Sequence, residues 1–166
     1  DPDLAGTVVD VGPDATGCTN QPFTDEQKAK IAGNVVILKW TDNNLECGSV
    51  QRSGNVLAAG GTGFLFANSS ESFSAGITGS PVIPGVLLAK SAGEAIRAAI
   101  ADGKAVTVTG TEANAVSQEF PSDNDLMTDF SSRGIRAAGN VKPDVTAVGA
   151  TVFSTAVGTG SDRTGP

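Results

Sequence analysis

The residues able to do chemistry in this 166-residue chain are serines, two cysteines and a scatter of carboxylates. Ser69, Ser70, Ser72, Ser74, Ser131 and Ser132 would each need a base to act as a nucleophile. The chain contains no histidine. A Ser-His-Asp triad, a Cys-His dyad and a His-ligated metal are therefore excluded within it. A lysine or a terminal amine is the remaining base, and no S-x-x-K occurs. Cys18 and Cys47 are too few for a structural zinc site and are not spaced as a C-x-x-C redox pair. A pair in a polar, acidic, Gly-rich chain suggests one disulfide and an exported protein, with two unrelated buried thiols as the alternative. Closing that loop would stabilise the fold by roughly 3–4 kcal/mol in the chain-entropy picture. Asp123, Asp125 and Asp129 begin like a calcium loop. Thr128 occupies the turn-glycine position and Gly134 the terminal-glutamate position, so the pattern fails and solvated linker acids are the better reading. Gly60-Gly61-Thr62-Gly63 lacks a P-loop lysine and the third dinucleotide glycine, and reads as a helix stop followed by a strand entry. The expectation is no catalytic residue, no metal and no cofactor in this chain.

Composition narrows the rest. Eleven basic residues against eighteen acidic ones give a net charge of −7. No basic stripe exists for phosphate neutralisation, which argues against nucleic acid and anionic membranes as partners. No apolar run approaches the ~20 residues of a spanning helix. Gly is frequent at 21, Tyr is absent and Trp occurs once, so the core must rest on Val, Ile, Leu, Phe and Ala. The chain opens Asp1-Pro2-Asp3, without the order of a signal peptide, and reads as part of something larger.

Short elements must position these groups. Thr7 to Val11 is β-branched and bounded by Gly6 and Gly12-Pro13, which predicts a strand. Thr24 and Gln27 have capping-box spacing, with Asp25 and Glu26 suiting the start of a short helix that ends before Gly33. Val35 to Trp40 is a continuous apolar run, as in a strand buried on both faces. Cys47 to Gly60 predicts a helix with Val50, Leu57 and Ala58 on one apolar face, stopped at Gly60-Gly61. Phe64 to Ala67 is a second buried strand, and Asn68 to Ser80 a surface loop. Pro81 to Ala89 is a strand whose prolines place it at an edge or confine pairing to its second half. Ser91 and Glu94 have capping-box spacing before Ile96, Ala99 and Ile100, and Gly103 stops that helix. Lys104 to Gly110 alternates as a half-exposed strand. The alternation from residue 7 to about 113 implies a mixed α/β domain with short crossovers. Residues 114 to 128 read as a polar linker.

Two stretches resemble one family, the subtilisin-like serine proteases carrying an inserted protease-associated (PA) domain. In the first, Gly17-Cys18, GNVVILKW, Cys47, AAGGTGFLFAN and IPGVLLAKSAGEAI follow in the order of the PA pattern. In the second, DFSSRGIRAAGNVKPDVTAVGATVF over Asp129 to Phe153 is similar to the subtilase segment upstream of the nucleophile motif. Ile135 and Val148 depart from the family's prolines. The resemblance implies a compact strand-rich PA domain over 1–116, a mixed sheet or open barrel with short flanking helices, bearing the Cys18–Cys47 disulfide. It further implies a linker over 117–128 and, over 129–166, a piece of the subtilase α/β catalytic domain lacking the nucleophile. Phe130 would then lie near the leaving-side substrate subsites of the parent enzyme.

The function so implied is that of a non-catalytic module of a secreted endopeptidase. Its partners would be the parent catalytic domain and protein or peptide substrates, with a homodimer as a further expectation. A free-standing module that captures peptides or glycans is the alternative. The SSRG…KPD segment argues against it, since a receptor has no need of that segment.

Overall fold

The computed structural model describes residues 3–42, 46–71, 76–111 and 145. The chain divides into two compact units, residues 1–117 and 118–166. The fold below belongs to the first. Apart from residue 145, the expected linker and catalytic-domain segment, with Asp123, Asp125, Asp129 and Phe130, lie outside the described residues.

Five strands and three helices alternate along the first unit: β1 (Leu4–Asp10), α1 (Asp25–Ile31), β2 (Val35–Trp40), α2 (Ser49–Ala58), β3 (Gly63–Asn68), β4 (Gly85–Leu88), α3 (Lys90–Ala101) and β5 (Thr107–Gly110). They build one five-stranded sheet in the order β4-β3-β2-β1-β5. The first four strands are parallel, with Val8 opposite Val35, Val35 opposite Gly63 and Phe64 opposite Gly85. β5 returns antiparallel against β1, setting Leu4 opposite Gly110. A mixed α/β sheet with short flanking helices is the fold expected from the sequence.

Both sheet faces are covered, which explains the apolar runs Val35–Leu38 in β2 and Phe64–Ala67 in β3. Val36, Leu38, Trp40, Phe64 and Phe66 face α1 and α2, where Ile31 and Val56 complete the core. Val8, Val35, Ile37 and Leu65 face the other way, toward Ile96 and Ile100 of α3. β4 takes the edge position and pairs only beyond its second proline, so both consequences of Pro81 and Pro84 are seen.

Local chemistry sets the helix ends. The Thr24 side chain accepts from the Gln27 amide and the Gln27 side chain accepts from the Thr24 amide, a complete capping box. α2 and α3 both stop in Schellman motifs. Gly60 donates to Leu57 and Gly61 to Val56, while Gly103 donates to Ile100 and Lys104 to Ala99. Gly60 has φ +79°, a conformation that a side chain would strain. The Thr62 amide then donates to Asn34. These amides serve the helix stop and strand entry, which is the reading given to the Gly60–Gly63 run.

Two expectations are corrected. Ser91 and Glu94 form no capping box: the N-cap is Ala89, without a side-chain cap. Ser91 instead donates from its amide and hydroxyl to Glu71, and Glu94 pairs with Lys90. The second correction concerns α2. The face carrying Val50, Leu57 and Ala58 lies at the surface, and the buried face is Ser49, Arg52, Ser53 and Val56. Ser49 and Arg52 find partners inward and the Ser53 hydroxyl donates to Val50 O of its own helix, so this polar face can be buried. Strand bounds also move. β1 begins at Leu4 because it pairs with β5, and β5 begins only at Thr107.

Candidate functional site

The densest polar constellation surrounds the disulfide. Cys18 and Cys47, 29 residues apart in sequence, are joined with their Cα atoms 5.8 Å apart. The loop leading to Cys18 runs beside β2, whose Lys39 amide donates to Ala15 O. On either side of Cys18 the loop is tied to α2. Asn55 Nδ2 donates to Gly17 O at 2.8 Å, and the Thr19 amide donates to Gln51 Oε1 at 3.3 Å. The covalent bond and these two hydrogen bonds clasp α2 to the segment before α1.

Arg52 sits beneath that clasp and is 2% exposed. Its Nε donates to Cys47 O at 3.1 Å and its Nη1 to Lys39 O at 2.6 Å. The guanidinium lies 4.8 Å from the centre of the Trp40 ring and 6.0 Å from that of Phe66. Trp40 and Phe66 are themselves stacked at 5.0 Å. Burial pulls the Arg52 pKa below its ordinary value, while Glu46 pushes it back up. The group remains a cation, since arginine does not deprotonate in proteins. A desolvated cation held by carbonyls and an aromatic face is a structural rivet, with its donors committed inward.

Two further ties close the carboxyl end of the parallel strands. Asp42 accepts from Trp40 Nε1 at 2.7 Å and from Asn68 Nδ2 at 3.0 Å, linking β2 to β3. Arg97 of α3 pairs with Asp10 and donates to Gly12 O, linking α3 to β1. The Nη2 of Arg97 is buried without a hydrogen-bond partner.

What these groups do chemically is hold the fold. Among the described residues Ser53 Oγ donates to Val50 O, Ser49 Oγ accepts from the Thr78 and Gly79 amides, and Ser91 Oγ donates to Glu71. No group of three or more His, Cys, Asp or Glu among the described residues is placed to hold a metal ion. An open cleft of about 170 Å³ lies between the 17–23 loop and α2, its lining including Cys18, Phe23, Lys28, Asn55, Ala58 and Ala59.

The structure thus brings together Cys18 and Cys47, as expected. Arg52 went unnoticed in the sequence. Ser49, Arg52, Ser53 and Val56 share a helix face by their i, i+3, i+4, i+7 spacing, but spacing alone does not say which face is buried.

The family model of the PA domain matches residues 4–96. The chain belongs to the PA domain family. Of solved structures, it is similar to an aminopeptidase from Aneurinibacillus sp. strain AM-1, at 17% identity and a TM-score of 0.49. That likeness covers 66% of this chain and 24% of the aminopeptidase, so the chain spans about a quarter of that protein's length. No curated protein matches. The PA domain here is thus a protease-associated module with one disulfide. Among its described residues no helix is long and apolar enough to cross a membrane.

Proposed function

We propose that this PA domain is a non-catalytic insert of a secreted subtilisin-like serine endopeptidase, where it governs the access of protein substrates to the cleft. The observation that carries this reading is the pairing of β1 with β5. Leu4 lies opposite Gly110, so the polypeptide enters and leaves the module at neighbouring points. A domain with adjacent ends can be spliced into a host loop without prising the host apart. The Asp129–Phe153 segment, with its SSRG and KPD runs, supports a subtilase as the host. The disulfide supports an oxidising, extracellular setting.

An acidic chain beside the cleft would favour basic or neutral substrate segments and repel acidic ones, most clearly at low salt. The reading is tested by labelling the full-length protein with a serine-reactive phosphonate probe and mapping the modified residue. Modification of one serine outside residues 1–166 is the expected result. Modification of a serine within them, or none in an active preparation, would refute it.

A further inference from the structure

The sheet ends in two edges, and they differ. At one, β5 presents the exposed Thr107 and Thr109, and the chain carries Asp102 and Lys104 before the strand and Glu112 after it. Charges beside an edge discourage a further strand. At the other edge stands β4, and no residue between Glu71 and Lys90 is charged. Val86 of β4 is 39% exposed, and Val82, in the segment leading into the strand, is 58% exposed.

The backbone of β4 is only half used. Pro84 O accepts from the Phe64 amide at 3.1 Å, which sets the phase of the parallel ladder with β3. Alternate residues of an edge strand face the ladder. Val86 and Leu88 therefore pair inward, and the amides and carbonyls of Gly85 and Leu87 point away from the sheet. Among the described residues these groups have no partner. Two donors and two acceptors thus stand at the spacing of an extended chain.

We propose that β4 is a docking edge for an extended, uncharged segment of a protein substrate, which joins the sheet as a further strand. The inference rests on the role in substrate access proposed above and names the grip that serves it. Gly85 and Leu87 bond the segment's backbone. Its side chains alternate across the two sheet faces, beside Leu87 on one and beside Val86 and Leu88 on the other. The four residues of β4 span about 13 Å. Pro84 offers no amide to lengthen the ladder at one end. At the other, Lys90 opens α3 with its amide bonded to Ser70 O. So short a slot suits a flexible segment. The edge strand of a second folded domain, typically about five or six residues within a rigid sheet, would run into both boundaries. Two copies of this chain, each at −7, also repel.

A peptide held by so few main-chain bonds binds weakly, with a dissociation constant of about a millimolar. Because it carries no charge, its binding should be nearly indifferent to salt, unlike charge steering at the cleft.

The test is NMR titration of the 166-residue chain with a capped hexapeptide of alternating valine and threonine, up to about 5 mM. The Gly85 and Leu87 amides should move downfield and gain protection from exchange, at low and high salt alike. The same peptide with every amide N-methylated keeps the side chains and lacks the donors, and should leave both signals in place. Val86→Lys, at an exposed position, should keep the spectrum of the folded chain and weaken binding about threefold or more. The proposal is overturned by unmoved Gly85 and Leu87 amides, by equal binding of the N-methylated peptide, by undiminished binding to Val86→Lys, or by a response centred on Thr107 and Thr109. A response of the Gly85 and Leu87 amides to chain concentration alone would overturn it too, by making a second copy the occupant. The titration involves no catalytic serine, so its failure leaves the phosphonate result standing, and the phosphonate result can fail while these amides still respond.

Discussion

Replacing Arg52 with methionine probes the rivet beneath the disulfide. Methionine keeps an unbranched stem of similar reach and removes the charge and its donors. Loss of the buried cation favours the variant, because no carboxylate among the described residues lies within ion-pair distance of Arg52. Three losses oppose it. The carbonyls of Cys47 and Lys39 forfeit charged hydrogen bonds at 3.1 and 2.6 Å, each worth about 1.5–3 kcal/mol. The Trp40 face, 4.8 Å from the guanidinium, forfeits a cation–π contact of roughly 1–2 kcal/mol. The carbonyls, in part-buried surroundings, are left short of donors, so the losses outweigh the relief. A net destabilisation of about 2–3 kcal/mol is expected. Urea unfolding with the disulfide intact measures it, followed by Trp40, the only tryptophan in the chain. The native emission should shift as well, because the cation leaves that ring. Stability unchanged within about 0.5 kcal/mol, with an unshifted spectrum, would refute the view of Arg52 as a rivet.

Four further outcomes can be checked by urea unfolding. The double substitution Cys18→Ser, Cys47→Ser removes a closure of 29 residues and should cost about 3–4 kcal/mol; a cost under about 1 kcal/mol would mean the noncovalent clasp suffices. Thr24→Ala breaks the capping box of α1 and should cost about 1 kcal/mol, with Gln27→Ala adding little once Thr24 is gone. Gly85→Ala drives a methyl to within 2.1 Å of the Phe64 ring and should cost about 1–3 kcal/mol. Gly54→Ala, in open space on α2, should instead gain about 0.5–1 kcal/mol.

Much of the module was legible in its residues because most of its elements have only local reasons to exist. Val35–Leu38 is apolar without interruption, so a strand covered on both faces was the natural place for it. Thr24 and Gln27 needed nothing beyond three residues of spacing. α2 misled because periodicity gives two candidate faces and no measure of what each will meet. Val50, Leu57 and Ala58 look like a core stripe until the tertiary fold offers Arg52 two carbonyls and a tryptophan ring. Ser91 misled for a related reason: its partner Glu71 comes from a loop twenty residues earlier, and no local spacing records that. The first residues of β1 were missed because their pairing partner, β5, is a hundred residues away. As to the site, the cysteine pair was suggested by its polar, acidic setting and by the family resemblance, whereas Arg52 required three dimensions.

The central claim is that this PA domain acts through its placement beside another domain's cleft. The most direct test compares the full-length protein with a version in which residues 4–110 are replaced by a short linker joining their ends. The readout is kcat/KM for matched peptides differing only in flanking charge, at low salt. We expect the intact protein to prefer the basic peptide several-fold and the shortened one to lose that preference while still cleaving both. Identical preferences in the two proteins would contradict the claim.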